Sequence, residues 1–170
     1  MRYFQIFSIA CVPVALVLAA CSSDSGTSPP PTGNCPNAFD YSKYTVGATP
    51  RTLAADVMPI FTQGCAFSTA CHQMGSSHMP ILGGSAAQIS TAIVGVDSTE
   101  VANMKYVAAG DPSASYLMRK IETSDPGCGL PCTNPAGQPL ACKTQMPMSL
   151  TPLTPDQQST IRDWIKQGAM

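Results

Sequence analysis

The segment TPDQQSTIRDWIKQGA, residues 154–169, gives the clearest indication of the fold. Thr154 and Gln157 have the spacing of a capping box, with Pro155 in the first turn, and this combination predicts a helix start. Gly168 is a typical residue just past a helix end. The apolar positions at helical spacing are Ile161, Trp164 and Ile165. The segment therefore predicts a C-terminal amphipathic helix that packs its apolar face on a core.

Two further helices are predicted upstream of this one. Residues 52–64 carry apolar residues at helical spacing, although Pro59 should kink that helix or end it early. Asp111 followed by Pro112 is typical of a helix N-terminus, and apolar residues at helical spacing follow. Alternating strand patterns are scarce, and residues 106–108 are the best short candidate. The predicted class is an all-α small helical domain with long loops.

The N-terminus predicts export and a lipid anchor. Residues 1–20 have one charge, Arg2, and a largely apolar run that is too short for a membrane span. The sequence before Cys21 resembles a bacterial lipobox, in which the signal peptide is cut before a cysteine that is then acylated. Simple secretion with a free Cys21 is the alternative. Residues 21–50 are predicted to be a flexible linker, and residues 51–170 the folded domain.

The composition excludes some functions and points to a thin core. Without residues 1–20, eight Lys and Arg face ten Asp and Glu, and no basic patch suggests a nucleic-acid partner. The chain has only five Phe, five Tyr and one Trp, against 16 Pro and 13 Gly. Since disulfides persist outside the cytoplasm, cysteines are expected to help hold this domain.

Six cysteines fall outside the signal peptide and the lipobox. Three of them lie in the loop of residues 123–145, which is rich in Pro and Gly and has few apolar residues to bury. With Cys35, the loop cysteines Cys128, Cys132 and Cys142 allow three pairings. We expect one bridge within the loop and one that ties Cys35 to it. Such bridges would hold Met146 in place, or would staple the loop without affecting any ligand.

The residues with distinctive chemistry follow the first predicted helix. Cys65 and Cys71 precede His72 in the order of a c-type haem attachment site, where both thiols bond to the porphyrin and the histidine binds the iron. The usual spacer has two residues, whereas this one has five. Met146 and Pro147 lie shortly before the C-terminal helix, where a cytochrome c usually provides its second axial ligand.

From Val57 to Ala169, the sequence resembles the small cytochrome c domains of bacterial envelope lipoproteins, including the planctomycete-type cytochrome c domain. The segments that carry the resemblance are residues 57–61, 109–112, 115–117, 120–121, 146–147, 161–165 and 168–169. The resemblance implies a cytochrome c-like fold with one covalently attached haem c. It implies attachment at Cys65 and Cys71, with His72 and Met146 as axial iron ligands. The five-residue spacer departs from the family pattern.

The same residues also allow other interpretations. Cys65 and Cys71 could form a local disulfide, with His72 and Met146 in ordinary structural positions. Cys65, Cys71, His72 and His78 could instead surround zinc, although the spacing is unusual. Met79 also precedes a proline, but it lies close to His72 in sequence and is the weaker candidate for the second axial position. His72 adjacent to Cys71 in sequence does not make a nucleophile and base pair.

No acid, base or nucleophile constellation predicts catalysis, so no catalytic residue is assigned. A His/Met haem predicts electron transfer in the cell envelope, with an unidentified redox protein as partner. Lys105, Arg119 and Lys120 are candidate contacts for haem propionates or that partner. Ser22 after the lipidated cysteine favours the outer membrane over the inner one. The alternative function is a haem-free, disulfide-stabilised lipoprotein with a binding or structural role.

Overall fold

Helices and loops make up the domain, and the described residues contain no strand. The computed structural model describes residues 35, 38–133, 138–139, 142, 144–148 and 151–170. The α-helices are α1 (Met58–Gly64), α2 (Ala86–Ile93), α3 (Tyr116–Glu122) and α4 (Pro155–Lys166). A π-helix (Leu53–Val57) precedes α1, and 3-10 turns cover Tyr41–Lys43 and Pro112–Ala114. The predicted all-α class is confirmed.

Helix α4 begins and packs as its sequence predicts. The Thr154 hydroxyl accepts a hydrogen bond from the Gln157 backbone at 3.2 Å, and the Gln157 side chain accepts one from the Thr154 backbone at 2.9 Å. Trp164 is completely buried, and its indole nitrogen donates to the Met170 carbonyl at 2.9 Å. Residues of α1 and α3, together with Ile89 and Ile93 of α2, pack around this centre.

The first predicted helix changes type where its proline lies. Leu53–Val57 is a π-helix, and α1 then starts at Met58 with Pro59 in its first turn. Because the first-turn N–H groups of a helix need no intrahelical partner, proline is tolerated there. Of the two effects expected of Pro59, a kink or an early end, the early end does not occur, since α1 continues to Gly64.

Asp111 caps a 3-10 turn, and the α-helix starts five residues later. Its carboxylate accepts hydrogen bonds from the Ser113 and Ala114 backbones at 3.0 and 3.2 Å. Helix α3 begins at Tyr116. The candidate strand at residues 106–108 forms only an isolated bridge between Val107 and Val94. No helix in the described part of the chain is long and apolar enough to cross a membrane.

The described end of the predicted linker packs against the helical domain. The Gly47 backbone donates to the Asp163 carboxylate at 3.0 Å, and Tyr44 donates its hydroxyl to the same group. The guanidinium of Arg162 in α4 lies 3.6 Å from the centre of the Phe39 ring. Phe39, Tyr44 and Gly47, which lie within the predicted linker, thus contact residues of α4. Cys21 and the signal peptide of residues 1–20 lie outside the described residues.

Two disulfides stabilise the loop that is poor in apolar residues. Cys35 pairs with Cys128 across a Cα–Cα distance of 5.6 Å, and Cys132 pairs with Cys142 across 5.9 Å. One bridge therefore ties Cys35 to the loop and the other lies within it, which confirms the expected pairing. Cys132–Cys142 closes four residues before Met146, so this bridge restrains the chain that leads to the candidate ligand.

Candidate functional site

A cavity of about 400 Å³ lies beside the loop that follows α1. Its walls come from this loop, from the face of α3 that carries Leu117 and Ile121, and from the segment around Met146. The lining is mainly apolar, and the volume lies within the roughly 300–1,000 Å³ typical of small-molecule and cofactor sites. The four residues that the sequence assigned to haem all line it: Cys65, Cys71, His72 and Met146.

The five-residue spacer between the cysteines folds into a closed loop. Cys65 follows α1 directly, and its backbone N–H donates to the Phe61 carbonyl at 2.8 Å. At the other end, the His72 N–H donates to the Cys65 carbonyl at 3.0 Å. Because this bond joins the two ends of the loop, the two cysteines and the histidine stay close together despite the five-residue spacer.

Both cysteines of this loop are free thiols, unlike the four in disulfides. Cys65 is buried, and Cys71 is half-buried. Burial, with a smaller contribution from the charge of Cys71, raises the pKa of Cys65 to about 12. Cys65 is therefore a protonated thiol at neutral pH. The alternative of a local disulfide between Cys65 and Cys71 is not observed.

His72 is held with one ring nitrogen already committed. Its Nδ1 lies 2.9 Å from the Pro80 carbonyl oxygen, which can only accept, so Nδ1 carries the proton. Nε2 is then the unprotonated nitrogen. Burial lowers the pKa of His72, which also favours the neutral ring. A backbone carbonyl that holds one ring nitrogen is common at metal-binding histidines, because it fixes the orientation of the ring.

We expect the pKa of His72 to lie below 6.5 in the folded haem-free protein, because burial disfavours the imidazolium. As pH falls below 6.5, the unfolded chain binds a proton that the folded chain does not, so stability should fall in that window. NMR titration of the ring protons would measure the pKa. In a His72→Gln variant, denaturant unfolding should lose this part of the pH dependence. A His72 pKa at or above 6.5 would contradict the expectation that burial keeps the ring neutral.

Met146 lies between the ends of two helices. Its backbone N–H donates to the Lys120 carbonyl, near the end of α3, at 2.7 Å. The next residue, Pro147, packs on Gly64 at the end of α1, where an added Cβ would lie 3.4 Å from the proline ring. Met146 is half-buried against the core, whereas Met79 and Met148 also line the cavity but are 53% and 59% exposed. Burial thus favours Met146 among the three thioethers.

A polar group at the cavity was not predicted from the sequence. The Lys120 ammonium lies 3.1 Å from the Glu100 carboxylate, which also accepts a hydrogen bond from the Tyr116 hydroxyl. Of the three candidate cations, Lys120 lines the cavity. Lys105 pairs with Asp97, and Arg119 donates to the Cys128 carbonyl at 2.6 Å. Glu100 lies in a loop without a local motif, so no sequence signal pointed to it.

These features fit a haem of the c type. The cavity offers a mainly apolar lining, two reduced thiols, a histidine whose Nδ1 is held by a backbone carbonyl and a half-buried thioether. Imidazole and thioether are established axial ligands of cytochrome iron. A zinc site does not fit, because the described residues contain no group of three or more His, Cys, Asp or Glu side chains that could hold a metal ion.

In the comparisons with known proteins, no protein-family model, no curated protein and no solved structure matches this chain.

Proposed function

We propose that this protein is a monohaem c-type cytochrome with a cytochrome c-like fold, acting as an electron carrier in the cell envelope. The observation that carries the proposal is that one cavity is lined by Cys65, Cys71, His72 and Met146. Few other functions require two unpaired thiols next to a histidine in a chain whose other described cysteines are paired. The free thiols are available for covalent attachment.

The protein residues have separate roles in this proposal. Cys65 and Cys71 would hold the haem through two thioether bonds, each formed by adding the S–H across a vinyl group, with sulfur on one carbon, hydrogen on the other and no net oxidation. His72 provides its Nε2 lone pair, and the Pro80 carbonyl keeps the ring oriented by holding Nδ1. Met146 provides a thioether, which raises the reduction potential relative to a second imidazole. Haem supplies a one-electron Fe(III)/Fe(II) couple.

The expected activity is electron transfer without substrate turnover. Two protein ligands would fill both axial positions and leave none for a substrate. The anchor at Cys21 would keep the carrier at a membrane surface next to a redox protein partner, and Ser22 favours the outer membrane. In this setting the protein would accept one electron and pass it on, and Lys120 and Glu100 at the cavity would set part of the local field.

Haem loading is tested by producing the mature protein in a host with c-type maturation enzymes. We expect a coloured protein that keeps its haem under denaturing conditions, with a sharp α-band after reduction. Mass spectrometry of proteolytic fragments should place the haem on the peptide that contains Cys65 and Cys71. A colourless product in which these two cysteines are joined by a disulfide would overturn the proposal and favour the haem-free binding role.

The second axial ligand is tested by a matched pair of variants. Met146→Ala should abolish the far-red absorption band of a methionine bound to ferric iron and should lower the midpoint potential. Met148→Ala removes an exposed methionine from the same cavity and should leave both unchanged. If Met148→Ala or Met79→Ala removes the band and Met146→Ala does not, the assignment of Met146 is wrong.

A further inference from the structure

The Gln145 side chain contacts the C-terminal end of α3. Its side-chain Nε2 donates a hydrogen bond to the Ile121 carbonyl at 3.1 Å. The following N–H, that of Met146, donates to the neighbouring Lys120 carbonyl at 2.7 Å. Two consecutive residues of the loop are therefore bonded to two consecutive carbonyls of α3.

These carbonyls are available because α3 ends there. Helix α3 stops at Glu122, so the last four carbonyls, including those of Lys120 and Ile121, have no partner within the helix. Lys120 and Ile121 also line the cavity. The loop thus donates hydrogen bonds to free carbonyls at the end of α3, a helix that forms one cavity wall. These bonds fix the position of Met146 along that wall.

The other side of the segment is fixed by packing. Pro147 is buried and lies against Gly64, the last residue of α1, directly before Cys65. A hydrogen-bonded contact with α3 on one side and an apolar contact with α1 on the other leave the Met146 backbone little freedom. Rotation of the segment away from the cavity would have to break the hydrogen bond from the Gln145 side chain to the Ile121 carbonyl of α3.

We infer that Gln145 is a positioning residue for Met146, and that its hydrogen bond to α3 keeps the thioether at the cavity. The inference rests on the proposed function, because the position matters when Met146 binds iron. Gln145 is not among the residues that line the cavity, and it acts through the backbone of its neighbour. Its loss should raise the fraction of molecules in which Met146 has left its place.

The first test uses the haem-free protein. Amide hydrogen exchange of Met146 should be about fivefold faster in Gln145→Ala, the factor that matches the roughly 1 kcal/mol of a typical hydrogen bond. Gln145→Lys keeps a donor and should restore most of the protection. Gln158→Ala is the matched control, since Gln158 donates to the same Ile121 carbonyl at 3.1 Å but belongs to α4. Equal exchange in wild type and Gln145→Ala would overturn the inference.

The second test uses the loaded, oxidised protein and imidazole as a competing ligand. Because imidazole enters only when Met146 has left, half-displacement should need about fivefold less imidazole in Gln145→Ala than in wild type, with Gln145→Lys close to wild type. An unchanged midpoint in Gln145→Ala would overturn the inference even if haem is bound. If wild type binds no haem, the proposed function fails, and the exchange experiment still decides whether Gln145 holds Met146.

Discussion

Arg162→Met is expected to lower the free energy of unfolding by about 3–5 kcal/mol, the usual cost of removing one partner of a buried ion pair. The Arg162 and Glu122 side chains are 8% and 6% exposed, and the arginine Nε donates to the Glu122 carboxylate at 2.8 Å. Without the guanidinium, a carboxylate is left buried among α3, α4 and Tyr41, whose hydroxyl donates to it at 2.5 Å. Burial already raises the pKa of Glu122.

Urea unfolding with the disulfides intact would measure this loss. Lys166→Met removes a cation from an exposed position on the same helix and should change stability by no more than about 0.5 kcal/mol. The double variant Arg162→Met with Glu122→Gln should be more stable than Arg162→Met alone, because an amide at 122 still accepts from Tyr41 without a buried charge. A double variant at least as unstable as Arg162→Met would show that packing, not the unpaired carboxylate, causes the loss.

The same region shows why the contacts between the predicted linker and α4 could not be predicted from the sequence. Thr154 and Gln157 satisfy each other within one turn, so the start of α4 can be predicted from a few adjacent residues. Phe39 and Tyr44 instead pack against Arg162 and Asp163, more than a hundred residues later in the chain. The three aromatic residues Phe39, Tyr41 and Tyr44 are unusual for a linker and were a signal that this segment packs, but no residue near them identifies the partner.

Helix α2 was missed although its sequence contains the signal. Ser85 and Gln88 form a capping box in which each side chain bonds to the other residue's backbone. Ile89 and Ile93 follow at helical spacing and are both buried. A search for the capping box alone would have found this helix. By contrast, the π-helix before α1 has no known sequence signature among the residues that form it.

The candidate site also combines residues that the sequence predicts with contacts that depend on tertiary packing. Cys65, Cys71 and His72 could be predicted because covalent attachment and ligation place these residue types in one short segment. The Pro80 carbonyl that orients His72 comes from a turn whose contact is set by tertiary packing. The polar group of Glu100, Lys120 and Tyr116 joins a loop to α3, so it too depends on the fold.

Removing both thiols of the closed loop, in a Cys65→Ala and Cys71→Ala double variant, is expected to abolish covalently retained haem. Each thiol is reduced and lines the cavity, and no other free cysteine is found among the described residues. Either single variant should keep some attached haem through its remaining thiol. The measurement is the haem absorbance that stays with the protein after acidic organic extraction, normalised to protein amount.

The matched control removes two cysteines elsewhere, Cys132 and Cys142. This variant lacks one disulfide, which typically stabilises a small exported domain by about 2–5 kcal/mol, and it should unfold more easily while still carrying covalent haem. Stability and attachment should therefore separate: the loop variant loses haem because it lacks the reacting sulfurs, and the control loses stability because it lacks a cross-link. Haem that remains bound after extraction in the Cys65→Ala and Cys71→Ala variant would place the attachment elsewhere in the chain and refute the assignment of this loop.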